Sequence, residues 1–367
     1  SGAEEHLAVR NGAGLFDVTH MGVFEVRGPG AAQFLQVVTT NDVHNLEIGT
    51  SQYTFLLDVD GQPLDDLMIY RLADDEYMLV VNAANNDKVW AWLNAVKQGE
   101  VMIDRLHSGR RVEGSDRFTL RDLRDPSSGI HRRVDIALQG PQSRSLLVAL
   151  GCQEPDRSCV DALPWAGVMR VVLGEFDLIV SRTGYTGERT AYELFVHPDQ
   201  AEALFRRLIE LGATPCGLAA RDSLRTEAGL PLYGHELAGP LGLNPADAGF
   251  GSFVKLSKPF FVGKRAFIEH ERTRDSEIVR FRMDNRRARP AHQGDPVLDQ
   301  NGERIGTVTS CSIDSERYQL GLAYVRNSAG KVGAAIQVLS GSHRATAERP
   351  AAPEPATILS RFPKKGK

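Results

Sequence analysis

The sequence predicts an α+β protein made of two related units and closed by a smaller all-β domain. Three observations carry that prediction. A strand, a Gly-Pro turn and a helix start occur together twice. A second strand-plus-helix pair follows each copy. From about residue 276 the pattern changes to short strands and turns. A chain of 367 residues is longer than one simple core usually serves and suits two or three domains.

In the first copy Val23 to Arg27 reads as a strand, Gly28-Pro29 as the turn and Gly30 to Leu35 as the helix start. In the second copy the corresponding pieces are Ile136 to Gln139, Gly140-Pro141 and Gln142 to Leu147. Pro directly after Gly suits a first helical turn, where its missing N–H costs nothing. The strand Tyr77–Val81 then leads to a helix ending near Trp90, Trp92 and Leu93. The strand Tyr192–Val196 leads to a helix over 198–211, in which Leu204, Leu208 and Leu211 share one face and Gly212 stands at the end as a cap. In the third region Ile278–Met283, Pro296–Leu298, Arg304–Thr309 and Leu320–Val325 read as strands, with Asn301-Gly302 as a hairpin turn. These suit a β-barrel or jelly roll. The tail from Ala345 is rich in Ala, Pro and Lys, with one last strand expected at Ala356–Leu359.

Composition excludes several classes. With 42% hydrophobic and 25% charged residues the chain is ordinary globular material. A net charge of -4 argues against a nucleic-acid binder. No apolar run approaches the ~20 residues that span a bilayer, and Ser1 to Glu5 lack the basic and apolar regions of a signal peptide. The four cysteines, Cys152, Cys159, Cys216 and Cys311, form no C-x-x-C pair and read as reduced thiols of a cytoplasmic or mitochondrial-matrix protein. The sequence holds no H-E-x-x-H motif or tight His/Cys cluster, so no metal site is expected. P-loop, dinucleotide-loop and nucleophile-elbow motifs are likewise missing. His20, alone in Asp17 to Gly22, reads as structural.

Three segments hold residues suited to chemistry. Asp65 and Asp66 follow the turn Asp58 to Gly61 and lead into the strand Leu67–Tyr70. Side chains alternate along a strand, so the two acids face opposite sides and one of them can enter a pocket; turn acids are the plainer reading. The polar loop Ser181 to Glu188 carries two glycines and Tyr185, and Glu193 stands inside the next apolar strand. Such a carboxylate either faces water or, if buried, needs donors, such as the two adjacent N–H groups on the edge of a pterin. Gly217 to Gly229 reads as a helix with a Gly stop. There Arg221 and Arg225 lie four apart, in either a ligand-binding or a salt-bridging arrangement.

Taken in order, Gly14 to Gly22, Thr39 to Asp42, Leu64 to Leu67, Val81 to Ala83, Leu138 to Pro141, Ser181 to Glu188, Gly217 to Gly229, Phe260 to Ala266, Val308 to Ser310 and Leu322 to Val325 resemble the folate-binding T-protein (aminomethyltransferase) family over most of the chain. The resemblance implies a three-domain cloverleaf around a central folate channel, with a discontinuous first domain (1–25 and 145–240), a second domain (26–144) and a C-terminal β-barrel domain (241–367). It implies tetrahydrofolate as acceptor and, as partner and donor, the aminomethylated lipoyl arm of the H-protein of the glycine cleavage system. The implied products are ammonia, 5,10-methylenetetrahydrofolate and the reduced arm. By position, Asp66 matches the catalytic aspartate, which orients the reacting folate nitrogen and stabilises an iminium-like cation. Glu193 matches the acid that pairs with the pterin. Met21, Tyr53, Tyr70, Asn82 and Tyr185 match pocket-lining positions, and Arg221 matches an arginine near the folate and the lipoyl path that is catalytic together with Asp66.

Three departures from the family pattern stand out. A Gly-Trp segment usual before Leu15 is missing. The stretch from Gln98 to Arg133 is long and Arg-rich, as a solvated loop or as a contact surface for an acidic protein. The loop before Glu193 is one residue longer than usual, which makes Glu188 its rival. Two other functions share the resemblance: a folate-dependent demethylase of a small methylated compound, and a folate-binding protein without transfer activity.

Overall fold

The computed structural model describes residues 1–151 and 153–364, so Cys152 lies outside the described residues. Cys159, Cys216 and Cys311 are free thiols. The strands of the first two units are β1 (Gly14–Asp17), β2 (Gly22–Arg27), β3 (Thr50–Leu57), β4 (Pro63–Ala73), β5 (Glu76–Val81), β6 (Thr119–Asp122), β7 (Val134–Gln139), β8 (Val168–Leu173), β9 (Phe176–Ser181), β10 (Ala191–Val196) and β11 (Thr214–Cys216). They form a five-stranded sheet ordered β3-β4-β5-β2-β6 and a six-stranded sheet ordered β8-β9-β10-β7-β1-β11.

The repeat in the sequence is a repeat in the fold. The order β8-β9-β10-β7 reproduces β3-β4-β5-β2, and all of these neighbours run antiparallel. The next strand in each sheet is exchanged. β1 leads along the chain into β2 but pairs with β7, and β6 precedes β7 but pairs with β2. The chain therefore passes from one sheet to the other between Asp17 and Gly22 and returns between Asp122 and Val134. These crossings differ from the 25/26 and 144/145 borders expected from sequence. Each unit opens with the strand before its Gly-Pro turn, so β2 and β7 belong with the helices that follow them.

The paired turn glycines show the same symmetry. Gly28 has φ +131° and Gly140 φ +128°, a region open to glycine and strained for other residues. A Cβ on Gly28 would stand 2.4 Å from the Arg117 carbonyl oxygen, just ahead of β6. On Gly140 it would stand 2.5 Å from the Gly12 oxygen, just ahead of β1. In both units the exchanged strand arrives by packing its backbone onto the turn.

Each sheet carries helices on one face. Phe34, Leu35, Val89 and Leu93, from helices Ala31–Val38 and Asn86–Gln98, bury Phe24 and Leu79. The second helix continues past Leu93 to Gln98, because its stop is Gly99 in the left-handed conformation. Leu147, Leu204 and Leu208 cover Leu138, Leu178 and Leu194 of the other sheet. The helix Pro198–Glu210 closes close to where its spacing predicts. The two remaining sheet faces meet each other, with Val23, Tyr70, Met78 and Val80 against Ile179 and Phe195. Strand alternation thus sends Leu194 to the helices and Glu193 and Phe195 to the interface between sheets.

The third unit is a closed barrel of β12 (Ser276–Met283), β13 (Pro296–Leu298), β14 (Arg304–Ile313), β15 (Gln319–Arg326), β16 (Ala335–Ser340) and β17 (Ala352–Leu359). β16 has no counterpart among the expected strands, and β17 starts four residues earlier than Ala356. The Asn301-Gly302 turn joins β13 to β14, tightened by Asp299, whose Oδ1 accepts from the Asn301 and Glu303 amides. The Arg-rich stretch from Gln98 is ordered around β6. Its arginines pair with acids of the body: Arg105 with Asp60 at 2.6 Å, Arg121 with Glu25 at 2.9 Å and Arg133 with Asp177 at 3.3 Å.

One ionic cluster joins the N-terminal helix Gly2–Asn11, the helix Leu218–Glu227 and the barrel. Glu227 accepts from His6 Nε2 at 2.8 Å, from Arg10 Nη2 at 2.8 Å and from the Ser315 amide at 2.9 Å. Burial raises its pKa, but the bonds from His6 and Ser315 and the charge of Arg10 outweigh burial and hold it below the usual glutamate range. A depressed folded-state pKa means stability that is present above the unfolded value of about 4.3 and lost as pH falls through the folded value. Glu227→Gln is expected to lower unfolding stability by about 2–4 kcal/mol at neutral pH and to flatten its decline below about pH 4. Urea titrations at pH 7 and pH 3 check both.

Candidate active site

The site grows out of strand alternation on β4. Asp65 stands opposite Leu56 and Asp66 opposite Phe55, so the two acids face opposite sides of the sheet. Asp65 is fully buried and accepts from the Asn82 amide at 2.9 Å, Asn82 Nδ2 at 2.7 Å and Asn85 Nδ2 at 2.7 Å. Burial, then the charge of Asp66, pushes it up to about 7. Asp66 faces a cavity of about 450 Å³ between the two sheets and the segment leading to the barrel. The Tyr53 hydroxyl donates to its Oδ2 at 2.5 Å, and Asn82 Nδ2 to its Oδ1 at 2.6 Å. Burial raises the Asp66 pKa, opposed by these two bonds and by the charge of Arg221. Asn82 thus clamps both acids just past the end of β5.

Glu193 projects into the same cavity from β10. Its Oε2 accepts from the Tyr70 hydroxyl at 2.9 Å and from Thr183 Oγ1, so both contacts occupy one oxygen. Its rival Glu188 lies elsewhere, in an ion pair with Arg10 at 2.7 Å. Tyr185 lines the cavity and anchors its hydroxyl on the Pro231 carbonyl. Burial raises its pKa and keeps it un-ionised. The Arg221 guanidinium lies over the Tyr185 ring, 4.7 Å from its centroid, and makes no ion pair among the described residues. Arg225, one turn on, is the salt-bridging arginine: it is 1% exposed and pairs with Asp222 and Glu236. The helix Leu218–Glu227 therefore presents one arginine to the cavity and locks the other beneath the next loop.

Of the residues singled out in the sequence, Met21, Tyr53, Asp66, Asn82, Tyr185, Glu193 and Arg221 line this cavity. Tyr70 does not. It is fully buried behind the wall, edge-on to Phe195 with ring centroids 5.5 Å apart, and acts through its bond to Glu193. Sequence reasoning missed the aromatic wall of Tyr233, Phe250 and Phe253, and Trp165, half-exposed at the rim. These come from irregular segments without periodicity.

Two other concentrations of polar groups are differently built. A hollow of about 790 Å³ beside the helix Lys264–Glu271 is lined by Arg105, Arg110, Asp60 and Asp104, which pair with one another. His292, Asp295 and His343 hold ligand-type atoms within 4.8 Å of one another. Both Asp295 oxygens there are taken by the amides of His292, Gly341 and Ser342 and by the Ser342 hydroxyl, so that carboxylate serves the turn.

A cavity with flat aromatic walls, one acid at each side and an arginine resting on one of its rings suits a planar, hydrogen-bonding ligand. Comparison with known proteins adds the family. The model of the GCVT N-terminal domain matches residues 1–258. The chain belongs to this aminomethyltransferase family. An aminomethyltransferase of Halothermothrix orenii is 37% identical over 353 residues, covering 94% of this chain and 89% of the relative. One from Symbiobacterium thermophilum is 38% identical over 349 residues, covering 92% and 84%. Among solved structures, the glycine cleavage system aminomethyltransferase T from Bartonella henselae superposes with a TM-score of 0.79 at 30% identity, covering 98% of this chain and 88% of that one. Aminomethyltransferases are transferase enzymes, and their α+β fold with a closed barrel is the one described above. No helix among the described residues is long and apolar enough to cross a membrane.

Proposed function

We propose that the cavity holds tetrahydrofolate and that the enzyme forms 5,10-methylenetetrahydrofolate from an aminomethyl group carried on the lipoyl arm of an H-protein. The observation that carries this reading is the placement of Asp66: an acid braced by Tyr53 and Asn82 on the wall of an apolar cavity, with Glu193 and Arg221 on the same surface. The net change balances. The C–S and C–N bonds of the aminomethyl group break, and two C–N bonds form to the folate. The two N–H protons of the folate leave with ammonia and the reduced sulfur. Positive charge develops at the migrating carbon, and a fixed carboxylate at Asp66 stabilises it without reorganising.

The remaining residues bind. Glu193 offers its Oε1 to the paired N–H groups of a pterin, while Tyr70 and Thr183 hold Oε2. Tyr53 and Tyr185 supply flat faces, and Arg221 suits a carboxylate on the folate tail or the approach of the lipoyl arm. Glu193→Gln replaces an acceptor for two donors with an amide. It is expected to raise the Kd for tetrahydrofolate about 10–100-fold, the worth of a hydrogen bond to a charged group. Fluorescence titration checks this, and an unchanged Kd would remove Glu193 from the binding role.

The test of the whole reading is to supply tetrahydrofolate and aminomethylated H-protein and follow both products. Equal release of ammonia and 5,10-methylenetetrahydrofolate supports it. Bound tetrahydrofolate without turnover would move the assignment to demethylation of a small methylated compound.

A further inference from the structure

Asp135 is a buried acid to which neither the fold nor the proposed reaction gives a task. It stands second in β7, is 1% exposed, and both its carboxyl oxygens lack a hydrogen-bond partner among the described residues. An ionised carboxylate in that state is costly. β7 pairs with β10 so that Asp135 lies opposite Phe195 and Ala137 opposite Glu193. Opposite residues share a face, and so do residues two apart along a strand. Asp135 and Glu193 are therefore diagonal neighbours on the face turned toward the other sheet.

The internal repeat supplies the control. In the sister unit the second residue of β2 is Val23, which lies opposite Val80 as Asp135 lies opposite Phe195. Val23 is fully buried in the apolar cluster between the sheets. The architecture is thus satisfied by valine at this place, and the carboxyl in β7 answers to something other than folding.

Glu193 is what it faces. As two carboxylates neither group can donate to the other, which is why Asp135 stands without a partner. With one proton between them, the pair is satisfied. We propose that Asp135 is a positioning residue that donates a carboxyl proton to Glu193, fixing the Glu193 side chain with one oxygen toward the cavity. This rests on the reading of Glu193 as the acid that binds the folate ring. The direction of titration agrees: burial first, then the charge of Glu193, raise the Asp135 pKa well above the usual aspartate range, against the positive charge of Arg221. The other titratable group facing it is the Tyr70 hydroxyl on β4, whose own pKa burial and the charges of Glu193 and Asp135 raise.

Two variants separate positioning from structure. Asp135→Asn keeps a donor toward Glu193 but cannot ionise. Asp135→Val installs the sister residue and removes the donor. In wild type the Kd for tetrahydrofolate is expected to rise in alkaline solution, as the shared proton leaves and two like charges face each other. Asp135→Asn is expected to bind with near-wild-type affinity and to lose that alkaline weakening. Asp135→Val is expected to bind about tenfold more weakly at neutral pH, the lower end of what a hydrogen bond to a charged group is worth, with the change in KM rather than kcat. Infrared difference spectra of the ligand-free protein, carrying ¹³C-carboxyl aspartate and taken as wild type minus variant so that the contribution of Asp65 cancels, are expected to show a protonated aspartic acid at neutral pH that both variants lack. No such band, or wild-type affinity in Asp135→Val, would overturn the proposal. If the band is present but Glu193→Gln leaves folate affinity intact, the binding role of Glu193 fails, and with it the positioning role of Asp135, while the shared proton stands on the band alone.

Discussion

Asp66→Asn is expected to lower kcat about 10²–10³-fold, the loss seen when one preorganised electrostatic group is removed from developing charge, with little change in the Kd for tetrahydrofolate. The geometry makes this substitution a clean removal of charge. Asn82 Nδ2 donates to Oδ1, and an amide oxygen there accepts the same bond. The Tyr53 hydroxyl donates to Oδ2; with an amide nitrogen in that place, it turns its proton away and accepts. Shape and bonding count are conserved, and only the negative charge is lost. Single-turnover measurements with saturating tetrahydrofolate separate the chemical step from binding. Turnover at the wild-type rate would remove Asp66 from the chemistry. The wild-type pH profile carries a second check. Burial raises the Asp66 pKa, and the active form is the ionised one. Activity is therefore expected to fall on the acid side at a pH above the ordinary aspartate range, and the residual activity of Asp66→Asn is expected to lack that limb.

How far the site was legible follows from which residues obey a period. Asp66 and Glu193 lie on strands whose alternation sets them on the side opposite Asp65 and Leu194, but alternation alone does not say which side holds the pocket; the packing of helices on the other face decides it. Tyr70 shows the limit of that rule. It shares a face with Asp66 and Met68, but each residue along a strand advances about 3.3 Å, and Tyr70 lies beyond the cavity beneath Phe195. Arg221 and Arg225 show the limit of helical spacing. Four residues apart they share a face, yet one meets the cavity and the other lies under the turn 230–236, which has no period of its own. The aromatic wall takes Tyr233 from that turn and Phe250 and Phe253 from the start and end of the one-turn helix Gly251–Phe253, which is too short to show a period. The exchange of β1 and β6 was hidden for a different reason: pairing across units is a property of the sheet, and neither strand's own residues encode its partner. Asp135 was missed because it stands one residue ahead of the apolar run Ile136 to Leu138 that marks the strand, where an acid reads as a solvated edge.

Arg225→Met is expected to destabilise the fold by about 3–5 kcal/mol, the cost of leaving a buried charge without its partner. Arg225 is 1% exposed and Glu236 is fully buried. The guanidinium gives Nη1 to Glu236 at 2.8 Å, Nε to Asp222 at 2.8 Å and Nη2 to Ser310 on β14 at 2.8 Å. Glu236 in turn accepts from the Leu232 amide at 3.0 Å and from the Ser310 hydroxyl at 2.6 Å. The pair therefore ties the helix that carries Arg221, the turn that carries Tyr233 and the barrel. Methionine fills much of the volume of the arginine stem but leaves Glu236 ionised and enclosed. The double replacement Arg225→Met with Glu236→Met removes both charges together and is expected to recover much of the loss, since a buried pair as a whole is often matched by apolar residues of similar size. A double-mutant cycle by urea denaturation reads the coupling directly. If the single variant loses less than about 1 kcal/mol, the value typical of an exposed ion pair, then solvent reaches Glu236 and the pair is not enclosed. The same cycle followed by tetrahydrofolate titration asks whether the pair does more than hold the barrel. Tyr185 hangs its hydroxyl on the Pro231 carbonyl, five residues before Glu236, and Arg221 rests on the Tyr185 ring. Loosening the turn is thus expected to weaken folate binding in the single variant and to spare it in the double one.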